Sequence, residues 1–349
     1  YLISLYRKAI LANPNLKETF NNLGNLYADI GANQEAFEAF KQALTLDYTY
    51  KEAHYSLGRL YEKSGNYDQA IKAYEQTMAL LNPEDEDGYV LVISAYNESL
   101  KKNSRNVLYM SARANAMDKF TQLISSKPPR ATSFFNLGFL YSGMGKIDRA
   151  LSAYQRALDI NPNHSKALYG LGDLYREQGR FDEALNMYNR SVESNWRNSD
   201  AYVNIGAIYQ RQGVKDKAKE YFQKAISADA RNARAYFDLG YMEEVAGRLK
   251  QAMVLYQKSI DLDPNNPEAY YNLGNTYALL NMNNKALSSY HQAILVDSGY
   301  QDAWVNLSIL SFKEGDFANA IKYCDEAILL GFKAPQDYLN ALEPFKKKI

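Results

Sequence analysis

Glycine returns every 34 residues along most of this 349-residue chain. Gly138, Gly172, Gly206, Gly240 and Gly274 form an unbroken series at that step, and Gly24 and Gly58 form a second stretch. Each follows a Leu or Ile: Leu23, Leu57, Leu137, Leu171, Ile205, Leu239, Leu273. A fixed period of this length marks a chain of stacked supersecondary units, each burying its apolar face against its neighbours. The size limit on a single hydrophobic core then does not apply, and two or three separate compact domains are not required.

The segment 130–163 shows the unit most clearly. Phe134, Leu137, Gly138 and Tyr141 lie on one face of a first helix. Gly145 follows, where a left-handed C-terminal cap is easiest for glycine. The same slot holds Gly31, Gly65, Gly179, Gly213, Gly247 and Gly315, with Asn281 once. Asp148 stands three residues on, matched by Asp68, Asp182 and Asp216, and is expected to be the N-cap of a second helix. That helix carries Ala150, Tyr154 and Ala157 on one face and stops at Asn161-Pro162. Gly138 and Ala150 are expected where the two antiparallel helices approach closest. Ala36, Ala70, Ala184, Ala218, Ala252, Ala286 and Ala320 match Ala150, and four residues later an aromatic slot holds Phe40, Tyr74, Tyr154, Tyr188, Phe222, Tyr256 and Tyr290.

These columns together resemble the tetratricopeptide repeat. The resemblance implies an all-α fold, an α-solenoid in which antiparallel helix pairs wind into a right-handed superhelix. It spans almost the whole chain as a half repeat at 1–16, repeats at 17–50 and 51–84, a degenerate repeat with an insertion at 85–130, and repeats at 131–164, 165–198, 199–232, 233–266, 267–300 and 301–334. Ser308 and Ser311 replace Gly and Tyr in the last repeat, as expected near an end. Residues 335–349, with Tyr338, Leu339, Leu342 and Phe345 at helical spacing, are expected to form a capping helix. The helical pattern already running at Tyr1 suggests a chain excised from a longer one.

Gly58 to Gly138 is 80 residues where two repeats give 68, an excess of 12. The surplus is expected around Lys101–Ser111, as a lengthened helix pair or protruding loop that contacts a partner, or as a tolerated insertion.

In the family this chain resembles, the first helix of each pair lines the concave face, where partners lie. Just before each Leu/Ile-Gly pair stand Asn22, Ser56, Asn136, Gly170, Asn204, Asp238 and Asn272, and Asn306 precedes Leu307. Asn is a poor helix-interior residue, but its amide donates to and accepts from an extended main chain at once. Asn22, Asn136, Asn204, Asn272 and Asn306 resemble the asparagine ladder of O-linked N-acetylglucosamine transferases, which holds peptides by their main chain. The alternative is that these amides bond within or between neighbouring helices. One residue earlier, Tyr55, Phe135, Tyr169, Phe237 and Tyr271 supply either aromatic anchors for a partner or packing between adjacent first helices. Residues 131–275 combine both features. The clamp that grips chaperone tails by their carboxylate is not expected, because its slots carry no Arg.

Forty basic and forty acidic residues give zero formal charge, which argues against nucleic acid as a partner. No apolar run reaches the roughly 20 residues of a membrane helix, so direct membrane insertion is not expected. The single cysteine, Cys324, allows no internal disulfide and assigns no compartment. The cytoplasm is the default expectation, with any targeting segment upstream of Tyr1. His54, His164 and His291 are far apart, no zinc-ligand spacing appears, and no phosphate loop appears. No catalytic residue, metal or cofactor is expected, and Lys346–Lys348 read as a solvated tail. The expected function is a non-catalytic interaction scaffold or adaptor binding a protein or extended peptide segment in the groove. Two alternatives stand beside it. One is the substrate-recruiting domain of a larger enzyme such as a glycosyltransferase. The other is a structural subunit using its convex face or the 102–111 insertion.

Overall fold

The computed structural model describes residues 2–80 and 86–346. The junction between the repeats at 51–84 and 85–130, and the tail residues Lys347 and Lys348, lie outside the described residues. The described residues form helices and turns with no strand. In chain order the helices are α1 (Leu2–Ala12), α2 (Lys17–Asp29), α3 (Asn33–Leu46), α4 (Lys51–Lys63), α5 (Tyr67–Ala79), α6 (Glu86–Lys102), α7 (Val107–Ser125), α8 (Ala131–Gly143), α9 (Ile147–Ile160) and α10 (Ser165–Glu177). They continue as α11 (Phe181–Ser194), α12 (Ser199–Arg211), α13 (Lys215–Ala228), α14 (Ala233–Val245), α15 (Leu249–Leu262), α16 (Pro267–Leu279), α17 (Asn283–Val296), α18 (Gln301–Lys313), α19 (Phe317–Leu329) and α20 (Gln336–Lys346). Successive helices pack as pairs, α2 on α3 and α8 on α9 for example, so the chain is an all-α solenoid. It divides into two compact units, Tyr1–Leu174 and Tyr175–Ile349, with the division inside α10.

Within each pair the recurrent residues meet in one way. A β-carbon on Gly24, Gly58, Gly206 or Gly274 would lie 2.5–2.7 Å from a ring carbon of Phe40, Tyr74, Phe222 or Tyr290 respectively. The glycine column therefore faces the aromatic column of the second helix. The alanine column is buried beside it (Ala36, Ala70, Ala150, Ala218, Ala286). This refines the sequence expectation, which set the glycine against Ala150.

The turn between the helices of a pair is one Schellman closure, repeated. At Gly145 (φ 69°), the Gly145 N–H bonds to the Ser142 carbonyl and the Lys146 N–H to the Tyr141 carbonyl, at 2.9 Å each. Asn281 (φ 57°) takes the same left-handed conformation. The closure sets the next helix two residues earlier than an N-cap at Asp148 would place it. The N-cap is the residue after the glycine, Asn66, Lys146, Arg180 or Val214, and of these only Asn66 caps through its side chain. Asp68, Asp148, Asp182 and Asp216 are therefore not N-caps. They lie in the first turn, where the positive end of the helix dipole favours a carboxylate.

Most of the surplus residues of the irregular stretch are taken up as helix. Helices α6 and α7 have 17 and 19 residues, against 13 and 14 for α8 and α9. Only residues 103–106 turn between them, and the Asn106 side chain caps α7 by accepting the Tyr109 N–H at 3.1 Å. At the other end of the chain α20 packs on α19. Leu342 is buried with Ala320 and Cys324, and Phe345 stacks on Phe317 with ring centroids 3.6 Å apart.

Candidate partner-binding site

In the first unit, helices α2, α4 and α6 border a cleft of about 900 Å³. Its lining includes Asn21 and Asn25 from α2, Tyr55, Ser56, Arg59 and Glu62 from α4, and Leu91, Ser99 and Lys102 from α6, with Asn103 beyond it. The lengthening of α6 thus builds one wall: Ser99, Lys102 and Asn103 stand in its last turn and just after it. The charged lining residues are three cations, Arg59, Lys63 and Lys102, and three carboxylates, Asp29, Glu52 and Glu62. A cleft balanced in this way selects neither sign of charge, and its amides and hydroxyls are the groups left to read a ligand.

Asn21 is the most informative of them. Only 6% of its surface is exposed, and its Oδ1 is buried without a hydrogen-bond partner. An unsatisfied buried acceptor costs about 1–3 kcal/mol, so such groups are rare unless something completes them. Sequence reading passed over Asn21 in favour of Asn22, which is exposed at the neighbouring position. The available signal was a departure: Asn21 occupies the slot that Tyr55, Phe135, Tyr169, Phe237 and Tyr271 fill with a ring.

Those five rings are half-buried, and four of them rest on rings of second helices. Tyr55 lies 5.7 Å from Tyr74, Phe135 6.0 Å from Tyr154, Phe237 5.7 Å from Tyr256, and Tyr271 5.9 Å from Tyr290. Tyr169 holds the same slot in α10. Tyr55 also lines the cleft; Phe135 and Asn136, in α8, stand outside that lining.

The asparagine column divides by what lies beneath it. Asn204 is 3% exposed, and its Nδ2 donates to the Tyr188 hydroxyl at 3.3 Å. Asn306 Nδ2 donates to Asn275 Oδ1 at 2.8 Å and to the Tyr271 and Tyr290 hydroxyls at 3.4 Å. Asn272 approaches the Tyr256 hydroxyl, 16 positions before it. Asn136 is 7% exposed and its Nδ2 has no partner. The residue 16 positions before it is Phe120, which lacks the hydroxyl that Tyr188, Tyr256 and Tyr290 offer at the same offset.

Asp238 replaces Asn in this column, above Phe222. Burial lifts its carboxyl to a pKa of about 6, against the pull of Arg234, whose Nε lies 3.6 Å from Oδ2. In the same repeat Glu243 takes the slot that Tyr27, Tyr61, Tyr141, Tyr175, Tyr209 and Tyr277 hold elsewhere. It is buried, paired with Arg248 and with Lys219 at 2.7 Å, and the Arg248 hydrogen bond leads in holding its pKa below the usual value. Beside this pair α12, α13 and α14 enclose a second cleft of about 660 Å³, with Tyr241 and Val245 exposed in it and Arg211, Lys215 and Lys219 around it.

Family comparison matches these repeats directly. "Tetratricopeptide repeat" profiles match residues 27–86, 129–195, 199–232 and 271–338, and a "TPR repeat" profile matches 246–281. The chain is a tetratricopeptide-repeat protein. No curated protein matches it. Among solved structures, pilF of Pseudomonas aeruginosa is 18% identical, with a TM-score of 0.53 over 63% of this chain and 97% of its own. The anaphase-promoting-complex heterotetramer Cut9–Hcn1 is 14% identical, with a TM-score of 0.52 over 98% of this chain and 92% of its own. Both show the solenoid fold. YrrB, described as a TPR protein with an unusual peptide-binding site, is 27% identical over 53% of this chain and 95% of its own, with a TM-score of 0.43. As a tetratricopeptide-repeat protein the chain is a protein–protein interaction scaffold. Among the described residues no helix is long and apolar enough to cross a membrane.

Proposed function

We propose that this repeat protein works without catalysis, by holding an extended segment of a partner protein in the cleft bordered by α2, α4 and α6. The unpartnered, buried Oδ1 of Asn21 carries the reading. It stands ready to accept a main-chain N–H, and Asn25, Ser56 and Asn103 supply further donors and acceptors around it. Each such bond contributes only about 0.5–1.5 kcal/mol net, so affinity comes from several made together along the segment. Tyr55 gives the segment an aromatic surface. Asn136, with its free Nδ2, is the member of the asparagine column best suited to extend main-chain recognition, and Asn22 is open to the same use. Asn204, Asn272 and Asn306 serve first as links between helices.

The test is a random peptide library selected on the intact chain, with the selected peptides titrated calorimetrically. Asn21→Leu keeps the size of the side chain and removes the acceptor, and should weaken the peptides about tenfold or more. Peptides that bind the variant as well as the parent would place recognition elsewhere.

One observation favours a second reading. The start of α7 exposes Val107, Leu108 and Met110 together, an apolar tip on the lengthened helix pair that suits docking into a larger assembly. Deleting one turn from each of α6 and α7 separates the readings: a subunit contact would be lost while peptide binding through Asn21 persisted.

A further inference from the structure

The last repeat breaks the ring column. Phe40, Tyr74, Tyr154, Tyr188, Phe222, Tyr256 and Tyr290 are succeeded, 34 residues on, by Cys324, and the facing glycine is succeeded by Ser308. In the preceding repeat a β-carbon on Gly274 would strike the Tyr290 ring at 2.5 Å. In the last one the large side chain is gone, and a cavity of about 430 Å³ opens there. Cys324 and Ser308 are in its lining with Val305, Ile309, Phe312 and Ala327. Phe332, Pro335 and Tyr338 close it from the C-terminal side.

The polar groups at this place are already engaged. Ser308 Oγ donates to the Ala320 carbonyl at 2.7 Å, so the Tyr338 hydroxyl, also 2.7 Å away, donates to Ser308. Cys324 is buried and burial raises its thiol pKa, which leaves it a neutral, apolar wall. The surface presented to the cavity is thus almost wholly apolar. A peptide main chain, a sugar or a nucleotide would lose its hydrogen bonds to water on entering and gain none. A hydrocarbon body loses no hydrogen bonds on entering, and it removes its own apolar surface and that of the lining from water. The volume lies within the roughly 300–1,000 Å³ of small-molecule sites. Lys313 is the charged residue of the lining. It is exposed and has no ion-pair partner among the described residues.

We infer that this cavity is a binding site for a small hydrophobic carboxylic acid, with its hydrocarbon body against Cys324, Ile309 and Phe312 and its carboxylate on the Lys313 ammonium. The site belongs to the last repeat and the C-terminal helix and does not depend on the cleft between α2, α4 and α6.

Octanoate and its neutral counterpart octanamide are suitable probes, because Cys324 is the chain's single cysteine and reports on the cavity directly. Octanoate should give saturable binding heat and slow the alkylation of Cys324 by N-ethylmaleimide. Lys313→Ala should weaken octanoate about tenfold and leave octanamide unchanged. Cys324→Phe restores the ring and should abolish both while keeping the helical circular dichroism. If that variant does not fold, Ile309→Trp fills the same space from the mouth. No heat and no protection at millimolar octanoate would overturn the assignment. Equal binding of acid and amide, or undiminished binding to a filled cavity, would overturn it too.

Discussion

A β-carbon placed on Gly138 would lie 2.5 Å from Cδ1 of Tyr154, closer than carbon atoms tolerate. The ring of the second helix rests on the bare backbone of the first, and one missing methyl group sets how closely the pair can approach. Gly138→Ala should therefore cost about 1–3 kcal/mol in denaturant unfolding, the usual range for overpacking. The cost in a Tyr154→Leu background should be clearly smaller, and a double-mutant cycle measures the difference. Equal costs in both backgrounds would show that the ring is not the obstacle.

Asn204 and Asn136 sit in the same slot but should respond differently to substitution. Asn204→Ala breaks the bond to the Tyr188 hydroxyl and should lower stability by about 1 kcal/mol, with Tyr188→Phe adding little on top of it. Asn136→Leu removes a donor that has no partner, so thermal unfolding should show no loss of stability. A drop of 2 °C or more would reveal a bond at that position.

Asp238 should make the second unit more stable in mild acid. Its folded pKa of about 6 stands above the ordinary value of 3.8, so the folded chain binds the extra proton first. Ionisation above pH 6 therefore weakens the fold, and stability from this group rises as pH falls from 7 towards 4. Asp238→Asn matches the rest of its column. It should stabilise the chain at pH 7 by on the order of 1–3 kcal/mol and flatten the dependence between pH 4 and 6. Unfolding curves at pH 7 and pH 5 for both proteins check this.

Glu243 works in the opposite sense. Its pairing with Arg248 and Lys219 holds its pKa below the ordinary 4.5, so its contribution is complete above that value and is lost as pH falls through the lowered one. Glu243→Gln should cost about 1–2 kcal/mol at pH 7, less than for a fully buried pair because both cations reach solvent. The gap between the parent and the variant should narrow as pH falls below the ordinary 4.5.

The period and its columns made the helix pairs legible in sequence, because each column does one steric task in every repeat. The caps were less legible. Asp148 has the chemistry of an N-cap, but the Schellman closure at Gly145 starts the helix two residues sooner, a backbone effect that residue type does not reveal. The candidate site was hidden for a related reason. Residues that recur, such as Asn136 and Asn204, stand out in a periodic sequence. Asn21 and Cys324 matter because they interrupt the ring slots of the first and second helices. Whether an asparagine in the column is free or engaged depended on a residue 16 positions earlier, Tyr188 or Phe120, on a different helix.

The way α6 and α7 absorb their surplus residues has a wider consequence. Extra chain in a repeat array usually swells a loop and leaves the ligand-facing wall as it was. Here the growth is coaxial with an antiparallel pair, so Ser99, Lys102 and Asn103 are carried out along the cleft while the columns on either side keep their 34-residue beat. Wall height becomes adjustable separately from repeat number, and on the proposed reading a partner segment meets a deeper wall beside α6 than a helix of ordinary length would give.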